Sequence, residues 1–372
     1  MQYSFVFILV ILFIGCNHKS KENQSPSSQI SIKDAPQLPS SNLEIIEAIP
    51  LETTSENLMG AWLRIRSSNS QLFVMDEESK QKSIHVFDKS GTYSGKMAEE
   101  GDGPEKIPSL NDFYVNTNGE LEILSTIGNK STIYQFGETG EKTLVLEMDY
   151  VASSFTKLPN GDYLLYGSYN LPVTKYRIIK VTPSGEITDR YLPNEYSGEL
   201  LPMTERNFLQ TGGKHYFIES FNNRAYRFHN DSLATAFEVD FGSYAIPNSF
   251  WEMNIMESFA MLNEKGFANL VGLFESNEIT TLECMFQGPF GTYKQLIFVN
   301  HPDKSISKIK VSEEDTPVFY HPIGMDQDDN ILFLTYHQAL LDFLKKSGQS
   351  PGFQLPQQEF DYPIIISTTL TP

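Results

Sequence analysis

The chain has 372 residues, 40% of them apolar, with 47 acidic against 28 basic side chains and a net charge of −19. That composition excludes disorder throughout, a collagen-like repeat and a multi-span membrane protein. A surface this acidic repels phosphate backbones, so nucleic acid is not an expected partner.

The first element is the uninterrupted apolar run from Phe5 to Ile14, ten residues long. At about 1.5 Å per residue it covers about half of the ~30 Å hydrocarbon core, the length of a signal-peptide apolar region rather than of a membrane span. Gly15 and Cys16 follow, and the chain turns polar at once with Asn17, His18 and Lys19. This resembles a bacterial lipobox, in which residues 1–15 are removed and Cys16 is acylated. Residues 16–42, rich in Ser, Pro, Gln and Asn, are expected to form the lipidated cysteine and a flexible tether. Cys16 and Cys284 together supply neither a disulfide framework nor a cysteine-based zinc site, and Cys284, in an apolar strand-like run, reads as a buried small residue.

From residue 43 a pattern of short strand, polar turn and second strand recurs. Its copies begin at residues 67–76 with 83–93, 111–124 with 131–141, 153–167 with 176–187, 210–220 with 224–233, 280–287 with 292–303, and 324–334. Asn118-Gly119 and Asn160-Gly161 lie 42 residues apart and read as two-residue hairpin turns. Strand periodicity repeated in units of 40–60 residues predicts the blades of a β-propeller, here six of about 55 residues across 43–372. The runs 43–52 and 362–370 are both strand-like, and one is expected to complete the blade begun by the other, because an open ring would leave bare strand edges.

Two helical inserts interrupt the strands. In 248–263, Ser249 and Glu252 have capping-box spacing, and apolar residues including Trp251 and Met253 wrap most of the way round. This segment is expected either to pack between blades or to cover the channel with Trp251 and Met253 facing a ligand. In 335–348, Tyr336, Leu340, Leu341 and Leu344 share one face, Lys345 and Lys346 suit the C-terminal dipole, and Gly348 ends the helix.

The run Ile84 to Glu105, with Phe87-Asp88, the Ser90-Gly91 turn and Gly101-Asp102-Gly103-Pro104-Glu105, resembles the six-bladed β-propeller lipoproteins of Bacteroidota, related in fold to NHL and TolB-like propellers. The resemblance implies an all-β, six-bladed propeller in the cell envelope, anchored through its N-terminal lipid, in the outer rather than the inner membrane. It implies no particular activity. Two glycines around Asp102 suit a tight crossover between blades, and Asp102 and Glu105 are secondary ligand candidates.

Catalytic signatures are weak. Gly348-Gln349-Ser350-Pro351-Gly352 has the letters of a nucleophile elbow, but a helix precedes it where a strand is required. Asp326 to Asn330 begins like a calcium loop, yet Ile331 and His337 occupy the places of the obligatory Gly and Glu, so a hairpin turn is expected. The histidines are scattered, and only His321, at the entry to the last blade, is a candidate for the channel. No catalytic residue, metal site or cofactor is expected. With the address that the resemblance implies, the expected role is an envelope binding or scaffold module for a glycan, peptide or protein, which the acidic charge and aromatic supply permit without specifying. The alternative is a metal-dependent lactonase-type hydrolase, which needs Glu, Asn and Asp to converge on the channel.

Overall fold

The computed structural model describes residues 28–137, 140–195, 207–349 and 352–371. Six antiparallel sheets follow one another around a ring. Blade 1 comprises Leu63–Ser67, Gln71–Asp76, Ser83–Asp88 and Tyr93–Glu99. Blade 2 comprises Asp112–Val115, Leu121–Ile127, Lys130–Phe136 and Lys142–Met148. Blade 3 runs from Ser154–Lys157 through Tyr163–Tyr166 and Tyr176–Val181 to Ile187–Pro193. Blade 4 holds Phe208–Thr211, Lys214–Phe217, Arg224–His229 and Ser232–Asp240, and blade 5 holds Phe267–Glu275, Ile279–Gly288, Gly291–Asn300 and Ile306–Val311.

Blade 6 closes the ring as the sequence predicts. His321–Met325, Ile331–Tyr336 and Pro363–Leu370 come from the C-terminal end, and Leu43–Pro50 from the N-terminal end pairs antiparallel with the last of them. The closing segment passes so near the Ser90-Gly91 turn of blade 1 that a Cβ on Gly91 would lie 2.1 Å from the Pro50 carbonyl oxygen. Gly91 also has φ +89°, so two independent constraints fix glycine there.

The second strands are buried along their length, as in Tyr163–Tyr166, because each blade is covered by a neighbour on both faces. The outermost strand Tyr93–Glu99 instead alternates between exposed and covered residues. Apolar clusters lie between consecutive blades: Phe73, Met75 and Ile84 of blade 1, for example, meet Phe113, Leu121 and Phe136 of blade 2. Among the described residues no helix is long and apolar enough to cross a membrane.

Three expectations require correction. Residues 28–42 are not a tether. Ser28–Ser31 adds a parallel fifth strand to blade 4, Gln37–Leu38 adds one to blade 5, and Ile30, Ile32 and Ala35 are buried. A few apolar side chains spaced along a polar stretch suffice when a waiting sheet edge supplies the backbone hydrogen bonds.

The Asn-Gly turns are not two-residue hairpins. Gly119 N–H donates to the Asn116 carbonyl at 3.1 Å and Asn116 N–H to the Glu120 carbonyl at 3.2 Å, with φ +89° at Gly119. This is a type I turn followed by one left-handed residue, so only the last position demands glycine. The same pattern recurs at Leu158–Asp162 and, with Asp329 as the left-handed residue, at Asp326–Asn330.

The first insert splits. Asn248–Trp251 is a short 3-10 turn, and helix α1 spans Ile255–Lys265 with Asn254 as its cap, the Asn254 side chain accepting from Met256 N–H at 2.9 Å. Ser249 and Glu252 therefore form no capping box; Asn254 lies immediately before the helix and outcompetes them. The second insert, α2 (His337–Ser347), lies between the second and third strands of blade 6 and ends on Gly348 with φ +70°, as predicted.

Candidate binding site on the propeller axis

A cavity of about 1220 Å³ is lined by residues from all six blades, which places it on the axis. Its walls are the ends of the innermost strands and the turns that follow them: Arg64 to Asn69, Tyr114 to Thr117, Lys157, Phe208 to His215, Leu273 to Asn277, and Ile323 to Gln327. Apolar and hydroxyl or amide side chains alternate there, since strand residues point to opposite faces while turn residues are polar.

The charges are ordered. Asp112, at the start of blade 2, accepts from Arg64 Nη1 at 2.6 Å and Arg66 Nη2 at 3.3 Å, and from the N–H groups of Phe113 and Phe155 at 2.8 and 3.1 Å. Arg64 Nε also reaches Glu77 Oε1 at 2.5 Å. Burial alone would lower the Arg64 guanidinium, but Asp112 and Glu77 hold it above its ordinary value. Lys157 on blade 3 pairs at 2.5 Å with Glu122 on blade 2 and lies 5.6 Å from the centre of the Tyr163 ring. Lys214 on blade 4 pairs at 2.6 Å with Glu275 on blade 5, whose other oxygen accepts from the Tyr216 hydroxyl at 2.5 Å. Burial first, and the neighbouring carboxylate second, push the Tyr163 and Tyr216 phenols up, so both stay protonated donors.

These pairs bear directly on the hydrolase alternative. A divalent ion would need several carboxylates free to converge, yet Asp112, Glu122 and Glu275 are each engaged by arginine or lysine. Among the described residues no three His, Cys, Asp or Glu side chains gather closely enough to hold a metal. Among the described residues these axial carboxylates are therefore taken up by cations rather than gathered around a common point.

The candidates read from sequence are dispersed. Trp251 lines a second cavity of about 490 Å³ at the opposite end of the ring, where Tyr169, Phe221 and Asn222 sit in the turns between second and third strands. Its ring lies 4.8 Å from that of Tyr169 of blade 3 and 6.2 Å from that of Phe221 of blade 4. Met253 is exposed and lines neither cavity. Asp102 and Glu105 are exposed in the crossover from blade 1 to blade 2, which Gly101 N–H and Ile107 N–H pin to the carbonyls of Ile107 and Glu99. His321 begins the innermost strand of blade 6, its ring 5.3 Å from Trp62 and 5.0 Å from Tyr320, and it lines neither cavity. Cys16 and Ser350 lie outside the described residues. Cys284 is fully buried in the second strand of blade 5, where burial pushes its thiol up and away from reactivity. The Asp326 to Asn330 segment is a hairpin turn, with Asp326 Oδ1 accepting from the N–H groups of Asp328 and Asn330 at 2.9 Å.

Arg64, Arg66, Lys157 and Lys214 were not singled out from sequence. The available signal was a long cation at the end of a short inner strand directly before a turn, as in Leu63-Arg64-Ile65-Arg66 and Ser154-Phe155-Thr156-Lys157.

The shape has solved counterparts. A Bacteroides fragilis protein provisionally described as exported is 16% identical, with a TM-score of 0.72 over 92% of this chain and 99% of its own. Virginiamycin B lyase from Staphylococcus aureus is 12% identical, with a TM-score of 0.43 over 78% of this chain and 95% of its own. A second Bacteroides fragilis protein, provisionally described as a 6-phosphogluconolactonase, is 11% identical, with a TM-score of 0.41 over 73% of this chain and 75% of its own. At these identities the first likeness establishes the fold alone. No curated protein matches the chain. A family model matches residues 27–365, starting at the strand that edges blade 4 and spanning all six blades, and by that match the chain belongs to the family described as domain of unknown function DUF4934.

Proposed function

We propose that this protein is an exported, lipid-anchored binding module of the cell envelope that takes a glycan, peptide or protein segment into the axial cavity. The observation that carries the reading is the cavity itself, built by all six blades, with the Asp112, Glu122 and Glu275 carboxylates already engaged by neighbouring cations. Such a site offers a shaped, polar-rimmed surface for recognition and lacks a gathered set of acids for metal-assisted hydrolysis. Export and anchoring are supported by the apolar run Phe5 to Ile14 followed by Cys16, and by the Bacteroides fragilis counterpart described as exported. Placement in the outer membrane follows from the lipoprotein resemblance.

The test is a ligand array of envelope glycans and peptides, probed with the chain and with N69W/N277W. Asn69 and Asn277 are exposed at the cavity mouth, so two indoles there obstruct it without entering the core. Binding by the unmodified chain that the double variant loses, at equal melting temperature, supports the reading. Equal binding by both would remove the axis as the site. Anchoring is checked separately: labelled palmitate should enter the chain and not its Cys16→Ala variant.

A further inference from the structure

Three ion pairs flanking the axis are asymmetric in the same sense. In the Arg66–Asp112 pair the side chains are 21% and 1% exposed; in Lys157–Glu122, 30% and 2%; in Lys214–Glu275, 33% and 6%. Each time the cation is the more accessible member of the pair. Arg66, Lys157 and Lys214 line the cavity, as does Glu275, whereas Asp112 and Glu122 do not. Lys89, which donates to the Ser67 hydroxyl, adds a further cation to the lining on the blade 1 side.

We infer that the axial cavity recognises an acidic oligosaccharide, its carboxylates held by the cations of blades 1, 3 and 4. This rests on the axial binding reading above and names the ligand class for it.

A buried carboxylate fixes each cation in place before any ligand arrives, so little side-chain freedom remains to be lost on binding. An ammonium has three N–H donors and a guanidinium five, more than one carboxylate oxygen takes up, so each cation can also meet a second acceptor. An incoming carboxylate then makes charge-assisted hydrogen bonds in a recess where water screens them less than at an open surface. Asp326 and Asp329 of blade 6 line the stretch between Glu275 of blade 5 and the cations of blade 1, so an anionic ligand is held away from blade 6. Asp326 is occupied within its own turn and with the Ser367 hydroxyl at 3.1 Å. The sugar class follows from the rim. Ser68, Asn69, Thr117, Gln210, Asn277 and Gln327 place hydroxyl and amide groups around the mouth, matching a ligand that carries a hydroxyl on most of its carbons.

The experiment is calorimetric titration of the full-length chain with tetragalacturonate, maltotetraose and tetraglutamate, at low and at high sodium chloride. Tetragalacturonate should bind in preference to both others and weaken roughly tenfold at high salt. The double variant E122Q/K157Q removes one pair without leaving a buried charge, and should weaken tetragalacturonate by roughly tenfold while leaving the melting temperature near that of the parent. Equal binding of maltotetraose would overturn the acidic class and leave the axial reading standing. Preference for tetraglutamate would overturn the sugar class. Tetragalacturonate binding that N69W/N277W retains would overturn both the class and the site, and failure of all three probes would overturn the class, with the array deciding the axial reading on its own.

Discussion

Four blade junctions are crossed by ion pairs with a buried member: Arg64–Asp112 between blades 1 and 2, Lys157–Glu122 between 2 and 3, Arg177–Glu219 between 3 and 4, and Lys214–Glu275 between 4 and 5. Between blades 5 and 6 a lysine still reaches across, as Lys294 donates to the Tyr320 carbonyl at 2.7 Å and sits 4.1 Å from the centre of its ring. The closing junction, between blades 6 and 1, is packed instead with Leu51, Leu63, Leu72, Val74, Phe87, Leu334 and Ile365. The difference follows from how each junction is made. Consecutive blades meet face to face, and a buried charge tolerates only the partner that neutralises it, which specifies the facing residue. The closing blade is specified by a strand ladder, because Leu43–Pro50 must find its register against Pro363–Leu370 from the far end of the chain. There apolar packing is sufficient.

That contrast can be broken at its strongest point first. Deleting residues 1–52 removes the closing strand and Leu51, together with the strands added to blades 4 and 5, leaving a bare edge on blade 6. The expected result is loss of cooperative thermal unfolding and aggregation on size exclusion. A monomer with an unchanged melt would show that the ring does not depend on this closure.

Asp112→Ala strands Arg64 without its principal partner and leaves the Phe155 N–H without its acceptor. Denaturant unfolding should register a loss of about 3–5 kcal/mol. A change below about 1 kcal/mol would mean that the charged junctions do not specify the ring as argued.

Acid should act next to the closing junction. His85 lies against Tyr93, which packs into that apolar cluster, and its ring nitrogens sit 3.0 Å from the Ser83 hydroxyl and 3.1 Å from the Tyr93 hydroxyl. Burial first, and the Lys96 ammonium second, lower its pKa to about 4. The unfolded chain, with an ordinary value of about 6.5, takes up the proton first as pH falls. The His85 contribution is therefore complete above about pH 6.5 and is lost between there and pH 4, to the extent of no more than about 3 kcal/mol. In His85→Gln this part of the stability–pH curve should flatten, and an unchanged slope would assign it to other groups.

The smallest effect belongs to Ile365→Val at the apolar junction, about 0.5–1.5 kcal/mol by denaturation. Combined with Asp112→Ala it should be additive, since the two residues sit in different clusters at different junctions. Strong coupling would show that the two kinds of junction fold as one unit.

The blades were legible because their signal is local. Glu120 to Ile123 alternates with the strand period, and Gly119 marks the turn before it, so each hairpin announces itself within about a dozen residues. Where the signal is spread out, the reading failed. Gln37–Leu38 forms a strand only because Ile306–Val311 offers an edge, and its partner Lys308 lies 271 residues away. The helix cap was misplaced for a related reason: Ser249 and Glu252 have the correct spacing, but the backbone of Asn248–Trp251 closes into a 3-10 turn before α1 begins.

The sequence by itself determined the architecture and the way the ring closes, since strand period, turn residues and a recurring unit are properties of neighbours along the chain. Only the tertiary structure decided where a ligand site lies. Arg66, Lys157 and Lys214 come from three blades, and their carboxylate partners from two others, so nothing in their local spacing marks them as a set. They come to line one cavity when the ring closes and brings the ends of its innermost strands to a common axis.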